Sequence, residues 1–235
     1  MQYRTLGPTN IEVSAIGFGC ARIGGVFSES STSKENTRLL EKALDSGINY
    51  YDTADMYTQG ESERLLGLAF SRQRDKVIIA SKGGYVLPAQ KRFISKVKPI
   101  LKPIVSFLGI KRSALPAGAG GSLSQDFSAQ YLSQAVENSL RRLKTDYLDI
   151  YQVHSPPPAV IKDGAFIQTL KKMQEQGKVR FFGVAADNVD DALLCLQHLQ
   201  IPLIQFPFGM LDMEALESFL PAAEKKGVGV IEPSR

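Results

Sequence analysis

Short apolar runs alternate with amphipathic helical patterns along this chain, and that alternation constrains its fold more than any other feature. Runs rich in β-branched and aromatic residues lie at Ala15–Phe18, Ile48–Tyr51, Val77–Ala80, Tyr147–Val153, Val179–Val184, Leu203–Phe206 and Val228–Ile231. Their composition suits strands buried on both faces. Between them, a first helix is predicted to open on Thr32-Ser-Lys-Glu35, a capping box, and to stop at Gly47. Leu39, Leu40, Ala43 and Leu44 give it one apolar stripe. Further helices are predicted over Ser62–Phe70, Ser128–Leu143, Ala165–Gln176, Val189–Leu199 and Asp212–Lys226. Such an order implies a parallel sheet.

An open doubly wound sheet and a closed barrel both satisfy that order, and two features favour the barrel. Tyr3–Gly7 and Ile11–Ala15 flank a Pro8-Thr-Asn10 turn, which reads as a hairpin placed before the first barrel strand. Polar candidates also sit at the tails of several strands, as they do when a barrel builds a site on its C-terminal face. Gly17, Gly19, Gly24 and Gly25 do not spell the dinucleotide-binding G-x-G-x-x-G. The expected fold is therefore α/β, a TIM-type (β/α)8 barrel with an N-terminal hairpin, truncated after the seventh strand. Residues 1–235 are expected to form one domain.

Composition excludes several alternatives. No apolar run approaches the roughly 18 to 20 residues of a membrane span, and no apolar signal core follows Met1, so a cytoplasmic protein without membrane contact is expected. The two cysteines, Cys20 and Cys195, fit no metal spacing and read as core thiols. With only His154 and His198 present, a histidine-rich metal site is excluded and no metal is expected. The net charge of +4 is local in origin. Lys91, Arg92, Lys96, Lys98, Lys102, Lys111 and Arg112 fall in a segment without acidic residues, and acidic residues outnumber basic ones in the rest. That segment lies within Gly83–Phe127, far longer than the usual connection of about 2 to 6 residues. It reads as a surface loop or as a lid over the site, and nucleic-acid binding has no motif to support it.

Four residues at or just beyond strand tails carry the candidate chemistry: Asp52, Tyr57, Lys82 and His154. On a barrel, neighbouring strand tails converge on one pocket. An ammonium beside a phenol favours the ionised phenolate and so makes the phenol a better acid. An aspartate can fix that lysine, and a histidine can hydrogen-bond a substrate oxygen. Singly, each residue is as well explained by a cap, a packed ring or a solvated strand end. Asp55 reads as a local hydrogen-bonding residue and His198 as surface.

The chain resembles the aldo-keto reductases. The resemblance rests on Asp52-Thr-Ala54, Tyr57, Glu63 and Leu66-Gly67, then Ser81-Lys82, Asp146-Tyr-Leu-Asp149 and His154-Ser155. Arg4-Thr-Leu-Gly7, Val13–Gly19 and Gly177–Gly183 extend it over nearly the whole chain. It implies that Tyr57 is the general acid, that Lys82 and Asp52 tune it, and that His154 orients a carbonyl. It implies NADPH as hydride source for an aldehyde or ketone, with Gly19, Cys20, Asp52, Ser155 and Gln205 as cofactor contacts.

The chain also departs from that family. Ala185 and Ala186 stand where the family places a Ser-Asn pair against the nicotinamide carboxamide, leaving backbone, Asp187 or Asn188 to serve. The eighth strand and its helix, which in the family grip the adenosine 2′-phosphate, are expected to be absent. Open edges would then call for a cover, such as an oligomeric partner. Two alternatives follow: a pseudoenzyme that binds cofactor poorly and acts through interactions, or non-redox proton transfer in the same pocket.

Overall fold

The computed structural model describes residues 1–24, 32–86, 124–209 and 213–233. The basic residues between Lys91 and Arg112 lie outside them, as do Gly25 and Asp212. Strands β1 (Tyr3–Thr5) and β2 (Glu12–Ser14) pair antiparallel as the expected hairpin, with Asn10 in the left-handed region at its turn. The main chain then alternates: β3 (Phe18–Gly19), α1 (Ser33–Asp45), β4 (Tyr50–Asp52), α2 (Glu61–Phe70) and β5 (Ile78–Gly83). A two-strand ribbon follows, β6 (Tyr85–Val86) against β7 (Ser124–Gln125), so the ends of the long connection are zipped together at the strand-tail end of β5. Next come α3 (Ala129–Leu143), β8 (Leu148–His154), α4 (Pro158–Asp163), α5 (Phe166–Glu175) and β9 (Val179–Ala185). The described chain closes with α6 (Val189–His198), β10 (Leu203–Gln205), α7 (Leu220–Lys225) and β11 (Gly229–Ile231).

Seven strands form one parallel sheet in the order β11-β10-β9-β8-β5-β4-β3. The sheet curls as a (β/α) barrel does, and its two end strands are not bonded to each other. A cleft of about 900 Å³ lies between them, walled by Ala15–Gly17 and Gly19 on one side and Val228–Pro233 on the other.

Alternation along each strand sorts its side chains into two layers. Tyr51, Ile79, Tyr151, Val153, Phe182 and Ile204 face the helices and join the main core. Tyr50, Ala80, Ile150 and Leu203 face inward and meet Leu6, Ile11 and Val13 of the hairpin, which plugs the N-terminal end of the barrel. Two residues further along the same inward rows lie Asp52, Lys82, Gln152 and Gln205, with His154 two beyond Gln152. Hydrophobic layers thus fill the barrel from below, and the polar layer occupies the strand tails.

Helix starts follow local chemistry. Thr32 forms the predicted capping box with Glu35, and Ser128 and Asn188 cap α3 and α6. Two expectations on element bounds need correction. The first strand pairs only over Phe18–Gly19, while Ala15–Gly17 stay exposed on the open cleft, where a run of apolar residues has no partner strand to bury it. A short helix that the sequence reading did not include, α4, opens on Pro158, which sits in its first turn, where no backbone donor is needed. The last predicted helix is broken: Ala215–Phe219 is a π turn closed by Leu220 N donating to Ala215 O, and α7 starts beyond it. Pro221 has no N–H for the fourth carbonyl back, and the wider turn accommodates that gap.

Candidate active site

The polar layer is organised by one ion pair. Lys82, only 2% exposed, donates from Nζ to both carboxylate oxygens of Asp52 at 2.7 Å and to the Thr53 carbonyl at 3.0 Å. Its ammonium lies 3.5 Å from the Tyr57 hydroxyl and 5.1 Å from the centre of that ring. Gln205 Nε2 also donates to Asp52, at 3.3 Å. The carboxylate therefore faces two donors, and the lysine points toward the phenol.

His154 closes the group. Its ring stands edge-on to Tyr57 at 6.1 Å between centroids and edge-on to Tyr85 at 5.0 Å. Burial, and secondarily the Lys82 charge, push its pKa down to about 3. The imidazole is therefore neutral at physiological pH, carrying one N–H to donate. Its Nδ1 is buried without a hydrogen-bond partner among the described residues.

Tyr57 owes its place to a strained loop. Thr58, Gln59 and Gly60 all take positive φ, at 48°, 63° and 85°. Two of these are not glycine, and such strain clusters where a loop must hold a functional side chain. Thr58 pins the turn: its hydroxyl donates to Ile23 O at 3.0 Å and accepts from Ser62 N at 3.1 Å.

The structure brings together the four proposed catalytic residues, Asp52, Tyr57, Lys82 and His154, and sets Gln205 beside them. Gly19 lines the cleft with Asp52, Tyr57 and Gln205. Cys20, expected as a cofactor contact, is instead buried in the helix-side core. Its thiol reaches Phe18 O, its N–H donates to Asp52 O and its carbonyl accepts from Ser62. Burial, then the Asp52 charge, raise that thiol far above its ordinary range. Ser155 donates to Asp187 at 2.5 Å, and Gln125 Nε2 donates to the Ser155 carbonyl. Asn188 Oδ1 is spent capping α6. Sequence reasoning missed Tyr85, which packs on His154; it singled out Ser155 and Asp187 but not their pairing, which carries no spacing signal.

Other residues of the resembling motifs are scaffold. Asp149, 1% exposed, accepts from Arg74, Arg180 and Ile79 N near the start of β8. Glu63, fully buried, accepts from Ser81 and Arg142, each at 2.5 Å. His198 is exposed at the end of α6, and Cys195 is buried.

A parallel β/α barrel sheet with a lysine–aspartate–tyrosine–histidine group at its strand tails defines a class of protein that the comparisons then specify. The sequence model of the aldo/keto reductase family matches residues 15–234, and the chain belongs to that family. It is 32% identical over 227 residues to aldo-keto reductase YhdN of Bacillus subtilis (strain 168), covering 95% of this chain and 59% of that protein. It is 27% identical to the NADH-specific methylglyoxal reductase of Escherichia coli (strain K12), covering 96% and 64%. The holo form of aldo-keto reductase AKR11C1 from Bacillus halodurans superposes with a TM-score of 0.77 at 28% identity, over 99% of this chain and 65% of that one. The chain thus spans about three fifths of the length of these relatives. Among the described residues, no helix is long and apolar enough to cross a membrane.

Proposed function

We propose that this chain reduces an aldehyde or ketone carbonyl with NADPH, with Tyr57 as the general acid. The observation that carries the proposal is the Lys82 ammonium, held by both oxygens of Asp52 and lying 3.5 Å from the Tyr57 hydroxyl.

The residues present fit a nicotinamide. Gln205 Oε1 is buried and has no partner among the described residues, so it can accept from the carboxamide N–H. Ala185 and Ala186 offer no side-chain donor, and the Ala186 N–H already donates to Gln205 O. Gln205 would therefore hold the carboxamide, with the Gly19 backbone on the cleft wall beside it. When bound, the reduced nicotinamide supplies hydride to the carbonyl carbon.

The chain's own residues handle the oxygen. Neutral His154 donates a hydrogen bond that orients it. Tyr57 gives it a proton, and the Lys82 ammonium stabilises the negative charge left on the phenolic oxygen, much as a fixed dipole stabilises developing charge. Asp52 keeps Lys82 in place. Carbonyl, hydride and proton together give the alcohol.

Binding supplies the first check. Titration with NADPH, followed by nicotinamide fluorescence, is expected to show micromolar affinity, with NADH titrated in parallel. Gln205→Leu is expected to weaken binding about ten-fold, the cost of one buried hydrogen bond. A folded protein that binds neither nucleotide would favour the pseudoenzyme or non-redox alternatives instead.

A further inference from the structure

Behind the catalytic group, on the helix side of the sheet, lies a second set of titratable residues that the reaction does not use. Ser81 and Gly83 point outward on β5 while Lys82 points inward. Behind them sit Asp55, Glu63 of α2, Arg142 of α3 and Tyr151 of β8. Glu63 takes the donors of Ser81 and Arg142. Asp55 Oδ1 and the Tyr151 hydroxyl are both buried without a partner among the described residues. They share one pocket: a Cβ on Gly83 would overlap the Tyr151 hydroxyl and come within 3.4 Å of Asp55 Oδ2. Glycine after Lys82 is what leaves room for them.

Asp55 is also tied to the site through the backbone. Its N–H donates to the carbonyl of Lys82 at 3.0 Å, and Thr53 N donates to Ala80 O at 2.8 Å, so residues 53–55 run along β5. Tyr57 follows two residues later, its N–H bonded to Ala54 O. A shift of Asp55 therefore moves Lys82 and Tyr57 relative to each other.

We propose that Asp55 is a positioning residue, whose carboxyl, seated with Tyr151 behind Gly83, clamps segment 53–57 to β5 and so sets the spacing of Tyr57 from Lys82. The inference rests on the reading of Tyr57 and Lys82 given above. The surroundings favour the protonated carboxyl. Burial comes first and the Glu63 carboxylate second; Arg142 and the Met56 N–H act the other way, and together they leave its pKa at about 7. The Tyr151 phenol, raised by burial and then by Asp55 and Glu63, stays protonated and adds no charge. Lys82 lies on the other face of β5, bonded to Asp52. Ionised, Asp55 would share one guanidinium with a second buried carboxylate.

The sign follows from linkage. A carboxyl whose pKa is higher in the closed segment stabilises closure at low pH, and that contribution is lost as pH rises from the ordinary carboxyl range to about 7. His154 titrates near 3 in the folded protein and stays outside this window.

Hydrogen exchange of residues 53–60, corrected for intrinsic rates, tests the inference without needing turnover. Wild type is expected to lose protection at least ten-fold between pH 5 and pH 8. Asp55→Asn, which mimics the uncharged acid, is expected to stay protected at both, and Asp55→Ala at neither. With NADPH and an aldehyde such as 4-nitrobenzaldehyde, kcat is expected to follow the same pattern at unchanged KM for NADPH. A pH-independent wild type, or an Asp55→Asn variant as unprotected at pH 5 as wild type at pH 8, would overturn the proposal. If Asp55→Ala does not fold, wild type against Asp55→Asn still decides. Absence of turnover in every variant would sink the reductase reading and leave the exchange result to judge the clamp.

Discussion

Tyr57→Phe is expected to lower kcat for carbonyl reduction by about 10³-fold, within the range of about 10² to 10⁴ that a positioned general acid contributes. The hydroxyl it removes faces the Lys82 ammonium at 3.5 Å, while the ring can keep its edge-on packing with His154. Folding and NADPH affinity should therefore change little. Steady-state kinetics beside a thermal melt separate the two effects. A variant that folds, binds NADPH and turns over at the wild-type rate would remove Tyr57 from the mechanism.

Gly67→Ala is expected to destabilise the fold by about 2 to 3 kcal/mol and lower Tm by roughly 5 to 10 °C. Intrinsic propensity argues the reverse, because alanine is favoured over glycine inside a helix by about 1 kcal/mol. Packing decides the sign. Gly67 sits in α2 where the end of α3 crosses it, and a Cβ there would stand 2.6 Å from Arg142 O and 2.7 Å from the backbone of Leu143. These are backbone atoms that cannot rotate away, so one helix must move off the other. Arg142 also carries the bond to buried Glu63, which ties that shift to the floor of the Tyr57 loop. An unchanged or raised Tm would show that α2 and α3 yield easily.

Gly67 illustrates what sequence could and could not supply. It stood out as part of a motif, but the reason for it, a backbone crossing, is a tertiary fact. The barrel sheet was legible because its inner and outer layers both demand apolar residues, which leaves continuous runs such as Val77–Ala80. The catalytic group was legible as residues because Asp52, Lys82 and His154 each stand at a strand tail. Their mutual distances depended on curl and register, which periodicity does not encode. Ala15–Gly17 misled because an apolar run at an open edge looks like one in a closed barrel. The break before α7 was signalled by Pro221 and overridden by the apolar stripe around it. Asp55 was read as a local hydrogen-bonding residue, because nothing local distinguishes a solvated loop carboxyl from one buried beside Glu63 and Tyr151.

The central claim is that this site delivers hydride to a carbonyl carbon while Tyr57 protonates the oxygen. Incubating the protein with an aldehyde and NADPH deuterated at the transferring C4 position tests it directly. The account predicts an alcohol one mass unit heavier, with deuterium on the carbinol carbon and one NADPH oxidised per alcohol formed. Unlabelled alcohol, or no alcohol from a folded protein that binds NADPH, would contradict it.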